Sequence, residues 1–159
     1  MLFLLREEGR FEGQMLGVDY SAQSVELCRK FAEDRRRCLG DDCKEVLFAQ
    51  WDIMVEEELD VGNGFDVVLD KGTFDAISLC SETDERGRRI CEGYRERVER
   101  LVKIGGLLLV TSCNWTEDEL KHWFTAGSLE AIGRIEYPVF SFGGQTGQSV
   151  CSVCFRRQR

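Results

Sequence analysis

Three short apolar segments, which follow one another along the sequence, each lead directly to an aspartate. The segments are residues 14–19, 46–50 and 65–70, and the acids at or just beyond their ends are Asp19, Asp52 and Asp70. Such segments predict β-strands, and helical patterns alternate with strands along the chain, so we predict an α/β domain. Ligands of such sheets bind beyond the carboxyl ends of the strands. The three carboxylates therefore predict one functional site.

Further helices and strands are predicted along the rest of the chain. Ser21 is a predicted N-cap, and Thr116-x-x-Glu119 is a capping box that predicts the start of another helix. We also predict a long helix over residues 84–102, a turn at Gly105–Gly106, a strand over 107–111, and closing strands over 129–137 and 150–156 joined by the loop 140–147. No helix separates the closing strands, which predicts an antiparallel pair. We predict that residues 1–159 form one domain.

Composition argues against several classes of partner. The formal net charge is −8, whereas binding to nucleic-acid phosphates requires a basic surface. The longest apolar run, residues 104–111, is interrupted by two glycines and is too short to cross a membrane. Among the eight cysteines, Cys151 and Cys154 have a spacing that invites a metal site. Residues three apart in a strand point to opposite faces, so we predict buried thiols and no metal, nucleic-acid or membrane partner.

Each acid at a strand end has a chemical role open to it. Asp19 can accept hydrogen bonds from both hydroxyls of a ribose. Asp52 can accept one from the exocyclic amine of an adenine, with Ile53 packed on the ring. Asp70 opens a loop at the middle of the predicted sheet, near the place where a reacting group would be held.

Two aromatic residues near the predicted site admit two interpretations. Phe74 and Trp115 could form an apolar wall around a substrate side chain, or they could pack in the core. Both interpretations stay open for Phe74. Trp115 stands beside the polar Asn114, which favours the wall.

Four stretches of the sequence resemble one known enzyme family. They are Gly17–Ser21, Asp70–Ile77, Thr111–Thr116 and Phe140–Gly144. In order and spacing they are similar to the lysine methyltransferases that modify translation elongation factor 1-alpha, a branch of the class I, seven-stranded methyltransferases. The resemblance implies a Rossmann-like methyltransferase sheet, mostly parallel, with an antiparallel C-terminal strand pair.

The resemblance also implies an activity and a site. We expect a cytoplasmic, monomeric enzyme that transfers methyl groups from S-adenosyl-L-methionine to a lysine of a protein substrate, translation elongation factor 1-alpha. The expected cofactor-binding residues are Asp19, Tyr20, Asp52, Ile53 and Asp70. The expected catalytic residues, around the target lysine, are Asp70, Asp75 and Trp115.

The sequence departs from the family pattern at its start. The family places a strand and a glycine-rich turn before the first helix, whereas no glycine cluster precedes Asp19 here. We therefore expect an N-terminally incomplete domain, with the first strand and the Gly-rich loop missing. Two alternatives stay open. One is a non-catalytic remnant that binds the elongation factor, and the other is a nicotinamide-dependent oxidoreductase, which would need a Gly-x-Gly-x-x-Gly turn that is also absent.

Overall fold

A computed structural model describes residues 1–39, 44–55, 59, 61–143 and 145–159 of the chain. The chain divides into two compact units, Met1–Glu56 and Glu57–Arg159. The interpretation of residues 1–159 as one domain stays a prediction. Gly144, the last residue of the fourth family stretch, lies outside the described residues. Within those described ranges, no helix is long and apolar enough to cross a membrane.

The N-terminal unit consists of two helices and two parallel strands. In chain order they are α1 (Leu2–Glu7), β1 (Met15–Asp19), α2 (Ala22–Leu39) and β2 (Val46–Gln50). The predicted cap of α2 is confirmed, because the backbone N–H of Ser24 donates to the Ser21 hydroxyl at 3.3 Å. Asp19 at the end of β1 lies opposite Gln50 at the end of β2. Both strands therefore present their carboxyl ends at one edge.

The C-terminal unit is built on a mixed sheet. Its elements are β3 (Phe65–Lys71), α3 (Thr73–Leu79), a 3-10 helix (Ile90–Gly93), α4 (Tyr94–Leu101), β4 (Val102–Ser112), α5 (Glu117–Phe124), β5 (Leu129–Ile135), β6 (Phe140–Phe142), β7 (Gln145–Gly147) and β8 (Cys151–Arg157). The strand order is β3-β4-β8-β5, and β6 pairs with β7. The pair β3–β4 is parallel, whereas β8 is antiparallel to β4 and β5. The predicted antiparallel closing pair is confirmed.

Aromatic side chains form the core of the C-terminal unit. Phe74, Tyr94, Phe124 and Phe155 are each no more than 2% exposed. The ring of Phe74 lies 5.5 Å from that of Tyr94 and 5.1 Å from that of Phe124, which in turn lies 5.4 Å from Phe155. Centroid distances in this range are those of favourable aromatic pairs. Of the two interpretations left open for Phe74, core packing is therefore the correct one.

The predicted helix over residues 84–102 is only partly correct. The chain is helical from Ile90 to Leu101, first as a 3-10 turn and then as α4. Residues 84–88 instead form a turn, in which the Asp84 carboxylate accepts the backbone N–H groups of Arg86 and Arg88 at 2.9 Å each. Gly87 has a φ of 76°, which a helix excludes. The short helix α3 was not predicted.

The predicted turn at Gly105–Gly106 is a bulge inside β4. Two steps along β3, from Phe65 to Val67, correspond to five along β4, from Val102 to Leu107. A β-carbon on Gly106 would lie 2.9 Å from the carbonyl oxygen of Lys103 and 3.0 Å from that of Phe65. Both atoms belong to the backbone and cannot rotate away. Glycine at position 106 therefore permits the close approach of β3 to β4.

We predict that Gly106→Ala lowers the free energy of unfolding by about 1–3 kcal/mol, because the added methyl must push two strands apart. The matched control is Gly133→Ala in β5, where a β-carbon would meet nothing within 4 Å. That control should change the free energy of unfolding by less than about 0.5 kcal/mol. Denaturant titration of the three proteins measures the difference. Equal stability of the two variants would contradict the close approach at Gly106.

Candidate active site

Two of the predicted acids lie together at the carboxyl edge of the N-terminal unit. Asp19 ends β1 and is exposed, and Asp52 follows β2 by two residues and is half-buried. One carboxylate oxygen of Asp19 accepts the backbone N–H of Ser21 at 2.8 Å. Among the residues that the structure describes, nothing donates a hydrogen bond to its other oxygen. One oxygen of Asp52 accepts the N–H of Met54 at 2.8 Å.

The neighbours of these acids differ in exposure. Tyr20 is 70% exposed, while Ile53 is 8% exposed. The Gln50 side chain donates to the carbonyl of Tyr20 at 3.1 Å, and the N–H of Trp51 donates to the carbonyl of Asp19 at 3.0 Å. These bonds tie the segment after β1 to the segment after β2. The N-terminal unit thus presents a polar edge with carboxylates and an aromatic ring.

Asp70, the third strand-end acid, is buried in the C-terminal unit and is 4% exposed. One oxygen accepts the backbone N–H of Thr73 at 2.8 Å, and the other accepts the N–H of Phe74 at 3.2 Å and the Tyr94 hydroxyl at 2.8 Å. Gly72 precedes α3 with a φ of 80°. The carboxylate therefore satisfies N–H groups in the first turn of α3, which have no partner within the helix.

Burial raises the pKa of the Asp70 carboxyl above its ordinary value, and the hydrogen bonds from Tyr94, Thr73 and Phe74 oppose that rise. Burial also raises the pKa of the Tyr94 hydroxyl, and the negative charge of Asp70 adds to the effect. Tyr94 therefore keeps its proton and donates it to Asp70. The ionised Asp70 carboxylate depends on these few donors, because it has lost its contact with water.

Asp75 of α3 links this helix to a loop of the C-terminal unit. Its carboxylate accepts the Ser112 hydroxyl through one oxygen and, at 2.8 Å, the backbone N–H of Cys113 through the other. Asp75 is half-buried and Ser112 is 1% exposed. The bonds join helix α3 to the loop that follows β4. The strand-end loops after β3 and β4 are consequently held to each other.

Trp115 belongs to the loop that follows β4 and is half-buried. Its ring lies 5.8 Å from that of Phe74 and 5.7 Å from that of Trp123. The indole N–H donates to the Ser78 hydroxyl at 3.1 Å. The three residues predicted to surround the target, Asp70, Asp75 and Trp115, therefore lie in one connected region of the C-terminal unit.

Cys151 and Cys154, the cysteines of β8, are free and half-buried, so the prediction that their thiols are buried is only partly correct. Cys151 Sγ donates to the carbonyl of Trp115 at 3.0 Å. Burial raises the pKa of Cys151, with smaller contributions from nearby acids, and burial also raises the pKa of Cys154. Across the described ranges, no group of three or more His, Cys, Asp or Glu side chains is placed to hold a metal ion.

Several contacts that build the region were not predicted from the sequence. The hydrogen bond from the Tyr94 hydroxyl to Asp70 was not predicted. Ser78, Ser112 and Cys151 bond to atoms about 37 residues away in sequence. The one signal for Ser112 is its position at the end of a strand, beside the acid-rich edge.

Comparison with known proteins relates this chain to methyltransferases. A family model described as a methyltransferase domain matches residues 1–144. Protein-lysine N-methyltransferase EFM4 of Saccharomyces cerevisiae is 40% identical over 99% of this chain and 66% of its own length. EEF1A lysine methyltransferase 2 of Homo sapiens is 35% identical over 89% of this chain and 55% of its own length. The chain thus spans between about half and two thirds of these relatives, and the family resemblance stated from the motifs is confirmed.

Solved structures share the fold at low identity. A TehB-like SAM-dependent methyltransferase from Corynebacterium glutamicum matches with a TM-score of 0.60 at 14% identity, over 91% of this chain and 68% of that one. The N-methyltransferase NodS from Bradyrhizobium japonicum, in complex with S-adenosyl-L-homocysteine, matches with a TM-score of 0.57 at 12% identity, over 92% and 67%. The predicted α/β, Rossmann-like methyltransferase fold is confirmed.

We predict that Tyr94→Phe destabilises the protein in a pH-dependent way. The folded-state pKa of Asp70 is raised above the ordinary 3.8, so its contribution to stability falls as pH rises through the window above 3.8. Removing the Tyr94 hydroxyl raises that pKa further. The loss in free energy of unfolding should therefore be small at acidic pH and reach about 1.5–3 kcal/mol at neutral pH.

The matched control is Tyr137→Phe, which removes a hydroxyl bonded at 2.8 Å to the uncharged Ser152 hydroxyl. Its effect, about 0.5–1.5 kcal/mol, should not depend on pH. Denaturant titrations at several pH values compare the two variants. Parallel pH profiles would show that Tyr94 does not stabilise an ionised Asp70.

Proposed function

The chain belongs to the methyltransferase domain family, and we propose that it transfers methyl groups from S-adenosyl-L-methionine to a lysine of translation elongation factor 1-alpha. The observation that carries the proposal is the identity of 40% and 35% to protein-lysine methyltransferases, one of which is named for EEF1A. The acidic edges of both units add chemical support. We further propose that the protein acts as a monomer in the cytoplasm.

The N-terminal unit offers groups that fit an adenosyl cofactor. The exposed Asp19 carboxylate keeps one oxygen without a hydrogen bond to any described residue, so it is available to ribose hydroxyls. Asp52 lies at the same edge and would accept the adenine amine, with Tyr20 and Ile53 beside it. When bound, S-adenosylmethionine supplies a methyl group activated by its positive sulfonium. Asp70 would contribute by shaping the loop that follows β3.

The target lysine must reach the reaction as a neutral amine, because an ammonium group has no lone pair with which to attack. Removing water from the amine lowers its pKa, and a proton acceptor or water can take the proton. The half-buried Asp75 carboxylate is placed to attract the ammonium before it loses its proton. The face of Trp115 tolerates the positive charge of the methylated product.

Alignment of the amine nitrogen with the methyl group supplies the rest of the rate enhancement. Holding the nitrogen in line with the methyl group turns a bimolecular encounter into a unimolecular step. Asp70 serves this end by fixing the first turn of α3 through Thr73 and Phe74, and α3 carries Asp75. We therefore propose that Asp70 acts through positioning, and that Asp75 and Trp115 face the substrate.

We predict that the protein binds S-adenosylhomocysteine and that Asp19→Asn weakens this binding at least about tenfold, or roughly 1.4 kcal/mol. Asparagine still accepts the N–H of Ser21, but it cannot accept two hydroxyls as a carboxylate does. Glu26→Gln is the matched control, since it removes one exposed carboxylate from α2, where Glu26 pairs with Lys30. Calorimetric titration measures all three proteins. Binding of NAD in place of S-adenosylhomocysteine would instead support the nicotinamide-dependent alternative.

We also predict that the protein methylates purified elongation factor 1-alpha, with mass increments of methylation confined to lysine. Asp75→Asn should lower the rate by roughly tenfold or more, because it removes the charge that attracts the ammonium. Mass spectrometry of the substrate after incubation with S-adenosylmethionine measures the product. Capture of the elongation factor without cofactor binding or methylation would identify the chain as a non-catalytic remnant.

A further inference from the structure

All three backbone N–H groups of the loop of residues 113–115, which follows β4, donate hydrogen bonds to side chains. The N–H of Cys113 donates to Asp75 at 2.8 Å, and those of Asn114 and Trp115 donate to the Ser112 hydroxyl at 3.0 and 2.9 Å. At the end of the loop, the carbonyl of Trp115 accepts the Cys151 thiol at 3.0 Å. Side chains thus supply the hydrogen bonds that a helix or strand would otherwise provide.

Ser112 is the centre of this arrangement. Its hydroxyl donates to Asp75 and accepts two backbone N–H groups, so both the donor and the two acceptor positions of a serine are in use. Ser112 is 1% exposed, and a buried polar group with every hydrogen bond made holds its neighbours in one geometry. Burial keeps Ser112 itself away from any substrate.

The backbone of the loop is fixed, and its first two side chains are exposed, whereas the Trp115 ring packs on Phe74 and Trp123 and donates to Ser78. Cys113 and Asn114 are exposed and Trp115 is half-buried. A cavity of about 270 Å³ in the same unit is lined in part by Cys151, whose thiol bonds to the Trp115 carbonyl, and by no residue of the loop itself. Ordinary surface loops are more mobile than the elements they connect. A fixed backbone that exposes the side chains of Cys113 and Asn114 is the arrangement expected of a preorganised binding surface.

We propose that Ser112 is a positioning residue for methyl transfer, whose hydroxyl holds residues 113–115 in the conformation that aligns the target amine. This inference rests on the proposed function. Ser112 acts through Asn114 and Trp115 and does not touch the substrate. Displacement of a positioning group by about 1 Å can lower a rate by roughly a hundredfold. Loss of the Ser112 hydroxyl should therefore lower the rate of methyl transfer and leave the affinity for the cofactor unchanged.

The test compares Ser112→Ala with Ser128→Ala under single-turnover conditions, with purified elongation factor 1-alpha and S-adenosylmethionine saturating. Ser128 is a matched control, because its hydroxyl also bonds to a carboxylate, that of Glu99, in the same unit. Ser112→Ala should lower the single-turnover rate roughly tenfold to a hundredfold. The dissociation constant for S-adenosylhomocysteine should stay within about twofold of that of the unsubstituted protein. Ser128→Ala should leave the rate unchanged.

A purely structural role for Ser112 predicts another result: both serine variants lose thermal stability, and both keep the single-turnover rate in their folded fraction. That result would overturn the proposal. If Ser112→Ala does not fold at the assay temperature, Cys151→Ala replaces it, since it removes one bond to the Trp115 carbonyl. It should lower the rate roughly threefold or more, and an unchanged rate would again overturn the proposal. Absence of methylation by the unsubstituted protein would instead count against the proposed function.

Discussion

Asp70 is the one buried carboxylate among the described residues of the C-terminal unit, and the packing of that unit depends on it. Asp70 is the next-to-last residue of β3, holds the first turn of α3 through two backbone N–H groups, and accepts the hydroxyl of Tyr94, which begins α4. A carboxylate removed from water is unfavourable unless such donors surround it. These bonds therefore fix the strand, the two helices and the aromatic core packed between them relative to one another. The fixed elements in turn determine the positions of the loops at the strand ends.

Hydrogen bonds to a carboxylate also fix the candidate active site. Asp75 stands on the helix that Asp70 fixes, and Ser112 connects it to the end of β4. Each link is a hydrogen bond between side chain and backbone or between two side chains, and the bonds to Asp70 and from Ser112 to Asp75 are at least partly buried. Such bonds are stronger and more directional than exposed ones. A site assembled in this way meets its substrate with little reorganisation, which is the condition for catalysis by alignment.

Much of this architecture could be predicted from local sequence. The strands that end at Asp19 and Asp70, and the capping box of Thr116 and Glu119, follow from periodicity and short-range chemistry, and the structure confirms them. Helix α3 was not predicted, because the seven residues after Gly72 are too few to show the helical spacing of apolar residues. The start of the helix predicted at Asp84 was wrong because apolar spacing outweighed the turn signals of Asp84 and Gly87. The contacts of Tyr94, Ser78 and Ser112 could not be predicted, since their partners lie 24 to 37 residues away.

The exposed thiol of Cys113 is a position at the candidate active site that can be labelled chemically. Cys113 is exposed and its backbone is pinned to Asp75, whereas Cys91 is buried and Cys151 is engaged with the Trp115 carbonyl. Thiolates attack alkylating reagents, and burial raises the pKa of Cys151, which lowers its thiolate fraction. A maleimide dye would therefore mark position 113 in preference to 151, and its emission would respond to a protein docking against the neighbouring Asn114.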